Sequence, residues 1–192
     1  ATTDLAPHAM ADRLETFLRP DLPEGMFVSM LLVEVDPATR ATRYLNAGHV
    51  PGVVLAADGA VAATLTLSGR VLGFDVGPDR TTRDGPVLVD GDVLLLVTDG
   101  VTDLVSDADL LELVRTRSGL GAAVLCQAVI ELANARGGHD NCTIQALCVL
   151  EAPEPPAAGA TLLLDAPDRL TEPLVPVAAL GRDATRAMEA AA

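Results

Sequence analysis

The sequence predicts a layered α+β fold. Its apolar residues recur first at strand spacing, then at helical spacing in two successive segments, and finally at strand spacing again. Asp-Pro and Asp-Gly turn chemistry punctuates the strand region. The third observation is compositional. A chain of 192 residues that is 49% hydrophobic but only 2% aromatic can bury a real core, built from Val, Leu and Ala.

The elements follow in order. "DLAPHAMADRLETFL", residues 4–18, reads as a helix with Met10, Leu14, Phe17 and Leu18 on its apolar face, stopped by "RPDLPEG". "MFVSMLLVEV" is a strand, "DPATRA" its turn and "TRYLNA" the returning strand. Asp58-Gly59 within "VVLAADGAVAATL" marks a second hairpin. "VLVDGDVLLLV" places Asp90-Gly91 as a short turn into a strand apolar on both faces, hence a central one. Ser106 with Asp109 forms a capping box that opens "DADLLELVRTR". In the next helix Leu120, Val124, Leu125, Ala128, Val129 and Leu132 recur at helical spacing, and Gly137-Gly138 ends it. "NCTIQALCVL" returns to strand. Residues 151–160, "EAPEPPAAGA", form a Pro/Ala linker, and 161–192 a C-terminal extension of unknown role.

Charge narrows the function. The formal net charge is -14, without a single Lys, which disfavours nucleic acid and anionic membrane surfaces as partners. The apolar runs are too short for membrane insertion, and no secretory signal pattern opens the chain. The three cysteines, Cys126, Cys142 and Cys148, lack CxxC spacing and read as free thiols in a reducing, cytoplasmic setting.

Chemistry centres on "LLLVTDGVTD", residues 94–103. Asp99 follows the central strand and Asp140 precedes the last one, so antiparallel pairing brings both carboxylates to one edge of the core. The nearest arginines in sequence, Arg83 and Arg115, are remote. A carboxylate at the mouth of an apolar core calls for a cation, and paired aspartates suit Mg²⁺ or Mn²⁺. Gly100 would let backbone approach such an ion closely. Spacing alone leaves ordinary turn aspartates the simpler reading. His8, His49 and His139 show no zinc pattern. His49 reads as a turn-ordering residue and His139 as a solvated one.

The order of motifs adds to this. "DLPEGMFVSMLLVEVDPATRATRYLNAGHVPGVVLAADG", then "LVDGDVLLLVTDGVTD", then "GGHDNCTIQALCVL" resembles the sporulation stage II E-like branch of metal-dependent protein phosphatases, bacterial relatives of protein phosphatase 2C. The likeness spans about residues 5–150, so residues 1–150 are taken as the phosphatase-like domain. It implies an α-β-β-α sandwich of two antiparallel sheets flanked by helices. It also implies a protein serine/threonine phosphatase in which two Mg²⁺ or Mn²⁺ ions activate water against a phosphorylated regulatory protein. An anti-sigma-factor antagonist is the implied partner. Asp99 and Asp140 match metal ligands; Gly100 and Asp103 match possible additional backbone and side-chain ligands. No residue matches a protein nucleophile.

The departure is at the start. Relatives carry an early acidic motif, in their first strands, whose aspartate bridges the two metals, and nothing upstream of "YLNAGH" matches it. The expectation is an N-terminally incomplete phosphatase domain. The rivals are a catalytically inactive pseudophosphatase serving as an interaction module, and a small-molecule metallohydrolase. The linker reading carries its own test. Removing residues 153–192 is expected to leave the melting temperature of the remainder nearly unchanged in calorimetry. A large fall would show that the tail is part of the core.

Overall fold

A computed structural model describes residues 5–73 and 79–150. The linker and the C-terminal extension lie outside the described residues. The elements are α1 (Pro7–Leu18), β1 (Met30–Val35), β2 (Ala41–Ala47), β3 (Gly52–Leu55), β4 (Val61–Leu65), β5 (Arg83–Val87), β6 (Val93–Val97), α2 (Asp99–Thr102), α3 (Asp107–Arg117), α4 (Ala122–Ala135) and β7 (Ile144–Cys148).

The strands form two antiparallel sheets, ordered β1-β2-β5 and β4-β3-β6-β7. Each expected turn does its work. The Asp36 carboxylate accepts from the amides of Ala38 and Thr39, closing the β1–β2 hairpin. Gly59 adopts φ 85° in the β3–β4 turn, a backbone state glycine reaches without strain. β6 is internal and apolar throughout. Its Leu94 and Leu96 face the interlayer cluster with Tyr44, Val54, Leu65 and Leu88. Its Val93, Leu95 and Val97 face Leu110, Val114, Leu125 and Val129 of α3 and α4. Strand β6 thus belongs to two cores, which its two-sided apolar pattern demands. The Ser106–Asp109 capping box is present at the start of α3.

Two expectations about helix faces need correction. In α1 the residues that bury are Pro7 and Ala11, whereas Met10 is 41% exposed and Phe17 77%. In α4, Leu125, Val129 and Ala133 bury and Leu132 packs beside them, while Val124 is exposed; Leu120, also exposed, lies in a 3-10 turn before the helix. Small residues let α1 sit close to Leu45, Ala47 and Leu72. Electrostatics fixes its other contact. The Arg80 side chain, 3% exposed, reaches Asp12 at 2.8 Å and Glu15 at 2.7 Å, both on α1. The same guanidinium donates to the carbonyls of Arg70 and Val71. Helical periodicity locates an apolar stripe; it does not say whether a partner covers it.

This ion cluster has a pH signature. The hydrogen bond from Arg80 holds Glu15 below its ordinary value of 4.5, with the Gly73 amide adding to it and burial opposing. A depressed folded pKa contributes stability that is present above pH 4.5 and is lost as pH falls through the folded value. The melting temperature is therefore expected to drop on acidification below that pH, and less steeply in Glu15→Gln. Arg80→Met is expected to cost about 2–4 kcal/mol in urea unfolding at neutral pH. That is below the full range for breaking a buried pair, because Asp12 is partly exposed.

Candidate functional site

The antiparallel β6–β7 ladder ends at Val97↔Ile144. Beyond it the two chains stay together as turns. Asp99 and Gly100 open α2 on one side, and Asp140 and Asn141 lie on the other. A methyl carbon built on Gly100 would sit 2.6 Å from Asn141 O and 3.4 Å from Asp140 Cβ. Only a residue without a side chain permits this approach. Asp103 lies one turn after Asp99, its amide donating to Asp99 O at 2.8 Å, so both acids share one face of a short helix.

Both carboxylates are anchored locally. Asp99 Oδ1 accepts from the Gly100 amide at 3.0 Å, and Asp140 Oδ1 from the Asn141 amide at 2.6 Å. Asp99, Asp103 and Asp140 are all exposed. This corrects the premise that Asp99 suffers desolvation at the strand end: water reaches it, so burial does not itself demand a cation. What remains is that Asp99, Asp103 and Asp140 have no arginine partner among the described residues. Among the described residues Arg40, Arg43, Arg70, Arg80, Arg115 and Arg136 pair elsewhere, with Asp12, Glu15, Glu34, Asp79, Asp90, Asp109 and Glu112.

The donors are carboxylate and backbone oxygens, which suit a hard divalent cation, and the Gly100 cradle keeps a side chain out of their way. In that sense the residues fit the implied metal. Among the described residues, no group of three or more His, Cys, Asp or Glu side chains is arranged to hold an ion. Two of the histidines make other bonds. His8 bonds Thr82. His49 orders its turn, donating its amide to Asn46 Oδ1 at 2.9 Å. His139 is exposed.

Residues 1–150 match the family model for Stage II sporulation protein E (SpoIIE). The chain belongs to the SpoIIE family. Among solved structures, this SpoIIE-family chain is similar to the RsbU and RsbW domains of Rv1364c from Mycobacterium tuberculosis, at 21% identity and TM-score 0.64, covering 80% of this chain and 44% of that one. It is also similar to the Mycobacterium tuberculosis serine/threonine phosphatase PstP/Ppp, at 27% identity and TM-score 0.53, covering 76% and 68%. A structure of the PstP catalytic domain in complex with 2 manganese ions matches at 25% identity and TM-score 0.54, covering 75% and 68%. Among curated relatives, mouse probable protein phosphatase 1N is 41% identical over 64 residues, 32% of this chain and 16% of that protein. The chain therefore spans less than half the length of the mouse protein and of the Rv1364c structure. The two-sheet sandwich with flanking helices is the family's fold.

Sequence reasoning missed α2 and the polar groups that hold the two turns together. Thr98 Oγ1 donates to Asn141 O at 3.2 Å, and Cys142 Sγ to Gly100 O at 3.1 Å. Cys142, read from the sequence as a strand residue, lies in the turn before β7. Thr98 sits beside the acids in sequence, but its bonds cross to residues more than 40 positions away, which no local pattern reveals.

Gly100→Ala tests the close approach. Its methyl would meet backbone rather than a yielding side chain. We expect a loss of about 1–3 kcal/mol in unfolding free energy, the range for overpacking. Displacement of Asp140 should accompany it, visible as shifted amide resonances of Asp140 and Asn141. Unchanged stability and spectra would mean that the two turns are not in contact in solution.

Proposed function

We propose that this chain supplies part of a metal-dependent protein serine/threonine phosphatase site, in which Asp99 and Asp140 hold a divalent ion. The observation that carries this reading is the meeting of the Asp99-Gly100 and Asp140-Asn141 turns at the end of the β6–β7 ladder, with no arginine paired to them among the described residues. Membership of the family and the likeness to a phosphatase determined with manganese support it. When bound, Mg²⁺ or Mn²⁺ lowers the pKa of a coordinated water, so that hydroxide is available against a phosphoryl group near neutral pH. The residues of this chain orient that chemistry. Asp99 and Asp140 offer oxygen ligands from opposite turns, Gly100 leaves room between them, and Asp103 adds a further acid at the end of α2.

The proposed substrate is a phosphorylated regulatory protein, with an anti-sigma-factor antagonist as the partner implied by the resemblance. The fold leaves space for more of the site. β4 and β5 approach each other along one flank of the sandwich. On the opposite flank β1 and β7 are the outer strands among the described residues. There Leu31, Val33, Val35, Leu96 and Val149 are only partly buried. A cavity of about 250 Å³ opens beside the acidic turns, lined by Leu31, His49, Thr98 and Gln145 among others. In our reading this flank is where the family's early strands pair, bringing the acid that bridges two metals. The rival reading, a non-catalytic interaction module, draws on the small ligand set among the described residues.

Calorimetric titration with Mn²⁺ separates these. Asp99→Asn and Asp140→Asn should each weaken affinity by more than about tenfold, the lower bound seen for mere supporting partners of metal ligands. Phosphate release from a phosphoserine protein at millimolar Mn²⁺ should fall in parallel. Equal Mn²⁺ affinity in both variants and the parent chain would overturn the assignment. Tight Mn²⁺ binding without phosphate release would favour the interaction module.

A further inference from the structure

We propose that Thr98 is a positioning residue for the acidic site, its hydroxyl standing in for its own backbone carbonyl in the β6–β7 ladder. The inference rests on the metal-site reading above and adds to it the group that sets how closely the two acidic turns approach.

The hydrogen bonds show the substitution of roles. In an antiparallel ladder every second facing pair exchanges both backbone bonds, and Thr98 and Thr143 occupy such a position. Thr98 makes the first of these, donating its amide to Thr143 O at 3.1 Å. The return bond is not made to Thr98 O. The Thr143 amide donates instead to Thr98 Oγ1, at 2.9 Å. The carbonyl of Thr98 is thereby free to accept from the amides of Val101 at 3.0 Å and Thr102 at 3.4 Å, which starts α2. Thr98 is the N-cap of α2, yet its side chain makes no capping bond. Its hydroxyl is committed across the ladder.

Two consequences follow for the site. The chain changes from strand to helix within one residue, which places Asp99 immediately at the end of β6 rather than after a loop. The hydroxyl also donates toward Asn141 O at 3.2 Å, nearer than its other acceptor, Thr143 O at 3.5 Å, and Asn141 O is the oxygen that a side chain on residue 100 would strike. Thr98 thus tethers the segment that carries Asp140 against the turn that carries Asp99. The Cys142 thiol, bonded to Gly100 O at 3.1 Å, closes the clasp from the other strand, although thiol bonds are the weaker kind.

The test compares Thr98→Val, which keeps the branched shape and loses the hydroxyl, with Thr98→Ser, which keeps the hydroxyl. Mn²⁺ affinity is read by electron paramagnetic resonance of the free ion, well below the melting temperature of each variant. Thr98→Val should weaken binding about tenfold, as loss of a group supporting metal ligands does. Thr98→Ser should stay within about twofold of the parent on that scale. A residue that only stabilises the fold would lower the melting temperature in Thr98→Val and leave the affinity untouched; that outcome overturns the proposal. Asp99→Asn in the same titration keeps the two ideas apart. If it binds Mn²⁺ as the parent does, the metal site itself is wrong. If it loses binding while Thr98→Val does not, only the role of Thr98 is wrong. A measurement on the parent chain needs no variant to fold. The Thr143 amide should be protected from hydrogen exchange like the β7 ladder amides, and rapid exchange there would equally overturn the proposal.

Discussion

The register of β6 against β7 is the constraint on which the rest depends. Val93 pairs with Cys148 and Val97 with Ile144, and each step of that ladder assigns side chains to one of two cores. A slip of one residue would send Val93, Leu95 and Val97 into the interlayer space and Leu94 and Leu96 under the helices. Apolarity would survive such a slip. What would fail is packing, because α3 and α4 meet β-branched Val93 and Val97 flanking Leu95, whereas the interlayer core receives two leucines. The same register puts Gly100 opposite Asn141, so the geometry of the acidic turns is inherited from packing deep in the domain.

Helix α1 is held differently. α1 makes its apolar contact through small residues, Pro7 and Ala11, and would slide on that surface alone. Arg80 removes the freedom. Its guanidinium serves two carboxylates on the helix and two carbonyls on the loop, so its charge and its donors are used together. Burying a charge is tolerable only on those terms. His8, bonded to Thr82 through both its amide and its ring, pins the start of the same helix. The exposed stripe of Met10, Leu14 and Phe17 then lies on the side that these polar contacts leave outward.

Electrostatics divides the chain into places where acids are answered and a place where they are not. Asp109 takes the Ser106 hydroxyl and both amino groups of Arg136, which hold it far below the usual carboxylate range. That joins the start of α3 to the end of α4. Asp99, Asp103 and Asp140 meet no arginine among the described residues. In a chain with 27 acidic and 13 basic residues, some acids must go without partners. What sets Asp99 and Asp140 apart from other surface acids is that their turns meet at the end of one ladder, around a glycine that admits close approach.

The sequence by itself determined the local structure and the candidate acids. Asp36-Pro37, Asp58-Gly59 and the Ser106–Asp109 box act through bonds between near neighbours, so their outcome is written where they stand. The two-sided apolarity of residues 93–97 likewise announced an internal strand. The motif order, read as a family likeness, points to Asp99 and Asp140. Tertiary structure decided what depends on distant partners. It turned Met10, Leu14 and Phe17 of α1 outward while Leu18 packed inward, gave Arg80 its two acids from 65 and 68 residues away, and left Asp99 open to water. It also divided the work of Thr98 between a helix that begins and a ladder that ends, because the Thr143 amide reaches the hydroxyl from 45 residues along the chain.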